Sequence, residues 1–306
     1  MDEEVSFNCR GSMARERPAL IFSTATGLHL FDYVKGISKR ILRGKCYGIA
    51  RCRDQWLFSL SSDDSESKAD RLSDIGAVRL QDFAVERLRW AITGIPGEIH
   101  QIDVCNGTLY LPHTGHNRVL HLPVEQVLNA HPPLTFSACK AIGLDIPEPS
   151  HLNSVFADPA AGKVYLVAHN DTGHTGRSSD VIVYDENSGD VEIIPTDAHS
   201  AHNIYVRDGE LMYCDSGRGR LIRGHEPIFE AEKLLRGLSI TDDRIYVGGS
   251  EKNPDRGRRK LSDAAIYILD KTGDPLAQVQ FPGVGDIYEI RQLHAFDYAM
   301  TASYAH

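Results

Sequence analysis

Long apolar runs are missing from this sequence. No stretch reaches the roughly 18 consecutive apolar residues that a membrane-spanning helix needs, so no membrane is expected as a partner. Cysteine is sparse and unpatterned: Cys9, Cys46, Cys52, Cys105, Cys139 and Cys214 are scattered through 306 residues with no CxxC pair. That excludes a zinc ribbon or a dense disulfide framework and fits reduced thiols in a cytoplasmic protein. The acidic start Met1-Asp2-Glu3-Glu4 has no apolar core behind it, so a secretory leader is not expected. Positive charge is in short supply, 33 Lys plus Arg against 42 Asp plus Glu for a net charge of -9, which argues against nucleic acid as a partner. HExxH, GxSxG, the P-loop and the Rossmann fingerprint are all absent. Helical periodicity is nearly absent as well; only 124–130 and 230–235 read as helical turns.

What the chain does have is short runs of period-two hydrophobicity, such as 164-VYLVA-168, 181-VIVYD-185, 211-LMYC-214, 245-IYVGG-249 and 266-IYILD-270. Turn signals punctuate them: Asn106-Gly107, Asp208-Gly209, Asn187-Ser188-Gly189 and Lys271-Thr272-Gly273. Alternation closed by tight-turn residues is the pattern of consecutive β-hairpins.

A repeat emerges when 47-YGIARCRDQWLF-58, 100-HQIDVCNGTLYL-111, 202-HNIYVRDGELMYC-214, 236-RGLSITDDRIYV-247 and 288-YEIRQLHAFDYAM-300 are aligned, with 151-HLNSVFADPAAGKVYLV-167 matching through a longer turn. The units open at Tyr47, His100, His151, His202, Arg236 and Tyr288 and recur about every 48 residues, the spacing of a four-stranded propeller blade. The sequence therefore predicts an all-β, six-bladed β-propeller over 18–306 behind a loose polar tail at 1–17. The last unit has room for two strands, 288–295 and 297–304, so strands from 18–33 and 38–44 are expected to complete it and close the ring.

On these repeats the chain resembles the six-bladed propeller superfamily that holds the calcium-dependent lactonases of the SMP-30/gluconolactonase type, strictosidine synthase-like proteins and NHL-repeat proteins. In the lactonases a central metal is held by Glu, Asn and Asp side chains and an Asp acts as base. Asn153 and Asn203 fall near such inner-strand positions, but both follow histidines, and no Glu stands near Cys46-Tyr47-Gly48.

In a propeller the first strand of each blade lines the central channel, so residues at one phase of the repeat converge there. Ten of the 14 histidines lie between 100 and 202, and three successive units begin with one. His100, His151 and His202 are the first choice of metal ligands, with His169, Asp215 or Glu289 completing or orienting the shell. The donor set favours a divalent transition metal such as Zn, Mn or Fe over calcium, which prefers oxygen. Arg236 shares the phase of the histidines and is a clamp for a carboxylate or phosphate, or else a partner of Asp286 or Glu289. Tyr47 and Tyr288 are candidate ligand contacts, or plugs of the channel. Glu289 and Asp215 are candidate proton movers. Loops 61–70, 169–179 and 250–260 are expected to decorate the mouth.

The expected function is a metal-dependent hydrolase, lyase or isomerase acting on a small polar or anionic substrate. Three readings compete with it: a His-ligated redox-metal oxidoreductase, a non-catalytic binding module, and histidines that serve structure or bind substrate without metal.

Overall fold

The computed structural model describes residues 19–62, 71–81, 83–114, 116–148, 150–158, 160–207, 209–253 and 255–293. Six antiparallel sheets are formed among them. Blade 1 contains Lys45–Cys52, Gln55–Ser61, Leu72–Gln81 and Ala84–Pro96, with the short strand Leu134–Thr135 added parallel to its outer edge. Blade 2 contains Asp103–Cys105, Thr108–His113, Arg118–Pro123 and Lys140–Gly143, and blade 3 contains Leu152–Asp158, Lys163–Ala168, Asp180–Asp185 and Val191–Pro195. Blade 4 follows with Ala201–Arg207, Glu210–Asp215, Arg220–Arg223 and Glu226–Glu230, and blade 5 with Leu234–Ile240, Arg244–Ser250, Ala264–Asp270 and Pro275–Phe281.

Blade 6 closes the ring. Its inner strand Ile287–Gln292 pairs with Ala19–Thr24, which continues through Gly27–Asp32 to Ile37–Arg43. The N-terminal segment thus supplies three strands, one more than the repeat count predicts. The strand expected at 297–304 lies outside the described residues, as do most of loop 61–70 and the tail at 1–17. The helical turn expected at 124–130 is the helix Val124–Leu128, whereas 230–235 is not helical: it joins two strands. Leu234 and Leu235 there belong to a strand rather than a helix, with Leu235 buried against residues of blades 3 and 4.

The core is layered between blades. Inner strands are buried along almost their whole length, as at Leu152–Ala157, while outermost strands such as Pro275–Phe281 alternate between exposed and buried positions. One apolar layer joins Val181 and Val183 of blade 3, Ile204 and Tyr205 of blade 4, and Leu235 and Leu238 of blade 5. Close approach of inner strands sets a limit on side-chain size. A Cβ on Gly48 would clash with the His100 carbonyl oxygen and stand 2.6 Å from the Ile102 nitrogen. Gly48→Ala is expected to lower stability by about 1–3 kcal/mol or more, read as a fall in the urea midpoint. An unchanged midpoint would mean that blades 1 and 2 can part without loss.

Candidate functional site

The shared phase of the blade starts has a structural cause. In five inner strands the register slips by one residue at that point: between Cys46 and Ile49, Leu152 and Ser154, His202 and Ile204, Leu235 and Leu238, and opposite Ser23–Thr24, where Tyr288 is passed over. Blade 2 is irregular at the same place, with a lone bridge at Ile99 before the strand resumes at Asp103. A bulge bends a strand and re-aims its side chain, so each blade turns residues inward at one level. Asn203 and Gly237 take left-handed backbone at these bulges, with φ of 54° and 81°, a conformation Asn and Gly tolerate.

Side chains from all six blades consequently meet around one small cavity of about 10 Å³, room for roughly one water. Tyr47, His100, Asn153, His202, Arg236 and Tyr288 are among its lining. Their rings stack in sequence: Tyr288 on Tyr47 at 4.6 Å between centroids, Tyr47 on His100 at 4.2 Å, and His100 against His151 at 5.5 Å. His151 stands 4.9 Å from His169, and His169 stands 5.1 Å from His202. The guanidinium of Arg236 lies 4.7 Å over the Tyr288 ring.

The three blade-start histidines do not gather their ligand atoms. The group that does, among the described residues, is His151, His169 and Asp171, whose nitrogens and carboxylate oxygen all lie within 4.8 Å of one another. Asp171 Oδ1 is 2.9 Å from His151 Nδ1 and 3.9 Å from His169 Nδ1. A tetrahedral ion with ~2.0 Å bonds holds its ligands about 3.3 Å apart, so these spacings bracket what a metal requires. The offset arises from a single residue. In blade 4 the histidine directly precedes the bulged Asn203; in blade 3 that place belongs to Leu152, and His151 sits one residue earlier, outside the strand, at φ 50°. This turns His151 toward the loop after the second strand. Asn170 and Asp171 are also left-handed, φ 56° and 45°, and the loop is pinned: Asn170 Nδ2 donates to Asp180 at 2.7 Å and Thr175 Oγ1 donates to the Asn170 carbonyl at 2.6 Å. Left-handed backbone at non-glycine residues concentrates at functional sites. Asp171 was not singled out by sequence reasoning, although it stands two residues after His169 in a loop assigned to the mouth.

His202 is held in one tautomer. Its Nδ1 lies 2.7 Å from the Ser200 carbonyl, which can only accept, and 2.9 Å from Ser216 Oγ, whose own proton goes to the Leu235 carbonyl at 2.5 Å. Nδ1 therefore carries the proton and Nε2 keeps its lone pair. Burial, then the charge of Arg236, push its pKa well below the usual value, so the ring is neutral at pH 7. Burial also brings His100 down to about 3, against the opposing pull of Glu98. Glu98, likewise not foreseen, is a hub: it accepts from Arg71, from Lys45 at 3.2 Å and from the Tyr47 hydroxyl at 3.1 Å, and stands 3.5 Å from His100. Burial works to raise its pKa, but His100 and the two cations hold it below the carboxylate range.

Arg236 is 8% exposed and ion-pairs with neither candidate partner. Asp286 lies 3.7 Å from Arg259, and Glu289 is bound by Arg291 at 2.6 Å. Nε of Arg236 and both ring nitrogens of His100 are buried without a hydrogen bond. Glu289 sits below the ring of side chains, engaged by Asn203 as well as Arg291. Asp215 stands at the end of its strand, accepting from the His199 amide at 2.8 Å and from Arg218 at 3.3 Å. His113 and His116 pair with each other at 4.2 Å and His113 is bound by the Pro96 carbonyl; neither belongs to the central group.

No protein-family model matches the chain, and a search of curated proteins finds no match. Solved structures do match. A chain of a nidogen/laminin complex is similar over 90% of this chain and 98% of its own, with TM-score 0.65 and 10% identity. Regucalcin from Agrobacterium tumefaciens, described as a calcium-binding protein, matches over 76% of this chain and 73% of its own, with TM-score 0.51 and 11% identity. A luciferin-regenerating enzyme matches over 88% and 96%, with TM-score 0.50 and 11% identity. At such identities the likeness shows the propeller fold and leaves the chemistry to the residues of this chain.

Proposed function

We propose that the protein is a metal-dependent enzyme, a hydrolase, lyase or isomerase, that takes a small anionic substrate at the centre of the ring. The observation that carries this reading is the convergence of His151, His169 and Asp171, two nitrogens and one oxygen, from a strand start and a pinned loop. Two imidazoles and one carboxylate leave coordination positions open and suit Zn, Mn or Fe. A metal there would polarise a carbonyl or acidify a bound water. His202, neutral and with Nε2 free to accept, stands beside His169 and supports a role in moving the proton. Arg236, buried and without an ion pair among the described residues, supports recognition of a carboxylate or phosphate. The cavity behind these side chains has no room for more than a water, so the substrate would meet them from the open side.

The same donor set favours a second reading. Two histidines and a carboxylate are the ligands of non-haem iron(II) oxygenases, so a redox reaction with O₂ fits equally well if the metal is iron. A cytoplasmic location is part of the proposal, supported among the described residues by Cys46, Cys139 and Cys214, which form no disulfide.

The test is elemental analysis of untagged protein prepared without chelator, beside a His169→Ala/Asp171→Ala variant. Near-stoichiometric metal in the parent and at least a 10–100-fold weaker affinity in the variant is the expected result. Zinc or manganese would select the first reading and iron the second. A parent protein that neither carries metal nor binds added Zn, Mn or Fe would overturn both.

A further inference from the structure

A second concentration of charge lies away from the central group, on the outer part of blade 1. A groove of about 230 Å³ runs between its third and fourth strands and the end of the helix Val124–Leu128. Gln55, Arg79, Arg87, Arg89, Asn129 and His131 provide its polar lining. The sheet register explains the crowding: Gln55 faces Arg79, Arg79 faces Arg87, and Arg89 follows two residues along the same face, opposite Ala77. Like charges set directly opposite each other weaken a sheet, by about 0.2–1 kcal/mol per pair. Folding accounts for Arg79, which pairs with Asp54, and for Arg89, which holds a helix end, but leaves Arg87 without a structural partner among the described residues.

Among the described residues, Arg79 alone of the three has carboxylate partners. Arg79 pairs with Asp54 at 2.8 Å and lies 3.9 Å from Glu86, both on exposed carboxylates. Arg89 Nη2 donates to the Val127 and Leu128 carbonyls at 3.0 and 2.8 Å, which anchors the guanidinium to the helix end and leaves its buried Nη1 without a hydrogen bond. Arg87 forms no ion pair or hydrogen bond among the described residues. A planar fork matches a phosphoryl or carboxylate group through paired N–H bonds, and an anchored guanidinium loses less freedom on binding. Groove volume sets the scale of the ligand. It is below the ~300–1,000 Å³ of sites for drug-sized molecules. The acidic remainder of the surface repels a long polyanion.

We propose that this groove binds the phosphoryl group of a small phosphorylated molecule, gripped by Arg87 with the guanidiniums of Arg79 and Arg89 beside it. Phosphate is preferred to carboxylate because its greater charge, about -1.5 to -2 at pH 7, matches Arg87 and Arg89, the two guanidiniums without a carboxylate partner among the described residues. The full chain would be titrated calorimetrically with inorganic phosphate and with pyrophosphate, to about 10 mM at constant ionic strength. Saturable 1:1 binding is expected, weakened at least tenfold by Arg87→Ala and abolished by Arg87→Glu. Thermal unfolding without phosphate should show both variants as stable as the parent, since they relieve a like-charge pair. Binding should survive Arg236→Ala. Absence of saturable binding, equal affinity in Arg87→Glu, or loss through Arg236→Ala in place of Arg87→Glu would each overturn the proposal.

Discussion

Replacing Arg291 with Met is expected to destabilise the propeller by about 3–5 kcal/mol. For a domain of this size that corresponds to a fall in Tm of roughly 10 °C. Arg291 is 1% exposed and Glu289 is fully buried. Nη1 of Arg291 reaches the Glu289 carboxylate at 2.6 Å, the Tyr205 hydroxyl at 2.8 Å and the Leu238 carbonyl at 3.0 Å. Asn203 extends the network, giving its Nδ2 to Glu289 and the Tyr288 carbonyl and accepting from the Gly237 amide at 2.7 Å. Inner strands of blades 4, 5 and 6 are thereby tied together beneath the central cavity. The loss comes chiefly from what remains: without the guanidinium, a desolvated carboxylate loses its ion-pair partner. An Arg291→Met/Glu289→Leu double variant removes both charges and should recover most of the stability, and a double-mutant cycle from urea denaturation would measure the coupling. If Arg291→Met stayed within about 1 kcal/mol of the parent, the pair would behave like an exposed one and the network would not hold the blades together.

This network also shows why the candidate site was only partly legible in the sequence. Period-two runs closed by Asn-Gly and Asp-Gly turns identify strands, and the recurring phase counts blades, because both patterns follow from local backbone requirements. The phase itself marks the bulges, so Tyr47, His100, His202, Arg236 and Tyr288 were found and do meet around the cavity. Sequence spacing cannot reveal a bulge displaced by one residue. That shift moves His151 from the ring toward His169 and Asp171, and exchanges a triad of blade starts for a group, shared with a loop, that could hold a metal. Glu289 illustrates a different limit: two residues from Arg291 on one strand, it faces the same way and is captured by it. Glu98 and Asp171 each stand two residues from a histidine at the repeat phase or strand exit, a proximity that would have flagged both. The arginines of blade 1 fall at alternate positions 87 and 89, but their clash with Arg79 exists only once the hairpin register is known.

Acid should unfold this protein well before its carboxylates are neutralised. His29 is 4% exposed, stacked on Phe22 at 4.9 Å between ring centroids, with Nε2 3.2 Å from Thr24 Oγ1. Burial, reinforced by the charge of Arg40, lowers its pKa to about 3. His113, fully buried, is lowered to about 4, mainly by burial. In the unfolded chain both titrate near 6.5. Between 6.5 and these folded values the unfolded state binds protons that the native state refuses. The stability held above pH 6.5 is therefore lost as pH falls, at about 1.4 kcal/mol per unit for each ring. At about pH 4.5 each ring accounts for roughly 2–3 kcal/mol, and the two together for about 5 kcal/mol. Glu98, held below the carboxylate range, loses its contribution only beneath this window, and Asp286, raised by burial, acts in the opposite sense. Urea denaturation of the parent and of His29→Gln at about pH 7, 5.5 and 4.5 separates the contributions, since the variant cannot take up the proton at 29 and should lose about 2–3 kcal/mol less over the range. Parallel pH profiles in the two proteins would show that His29 titrates alike in both states, and that its burial against Phe22 does not exclude the charged ring.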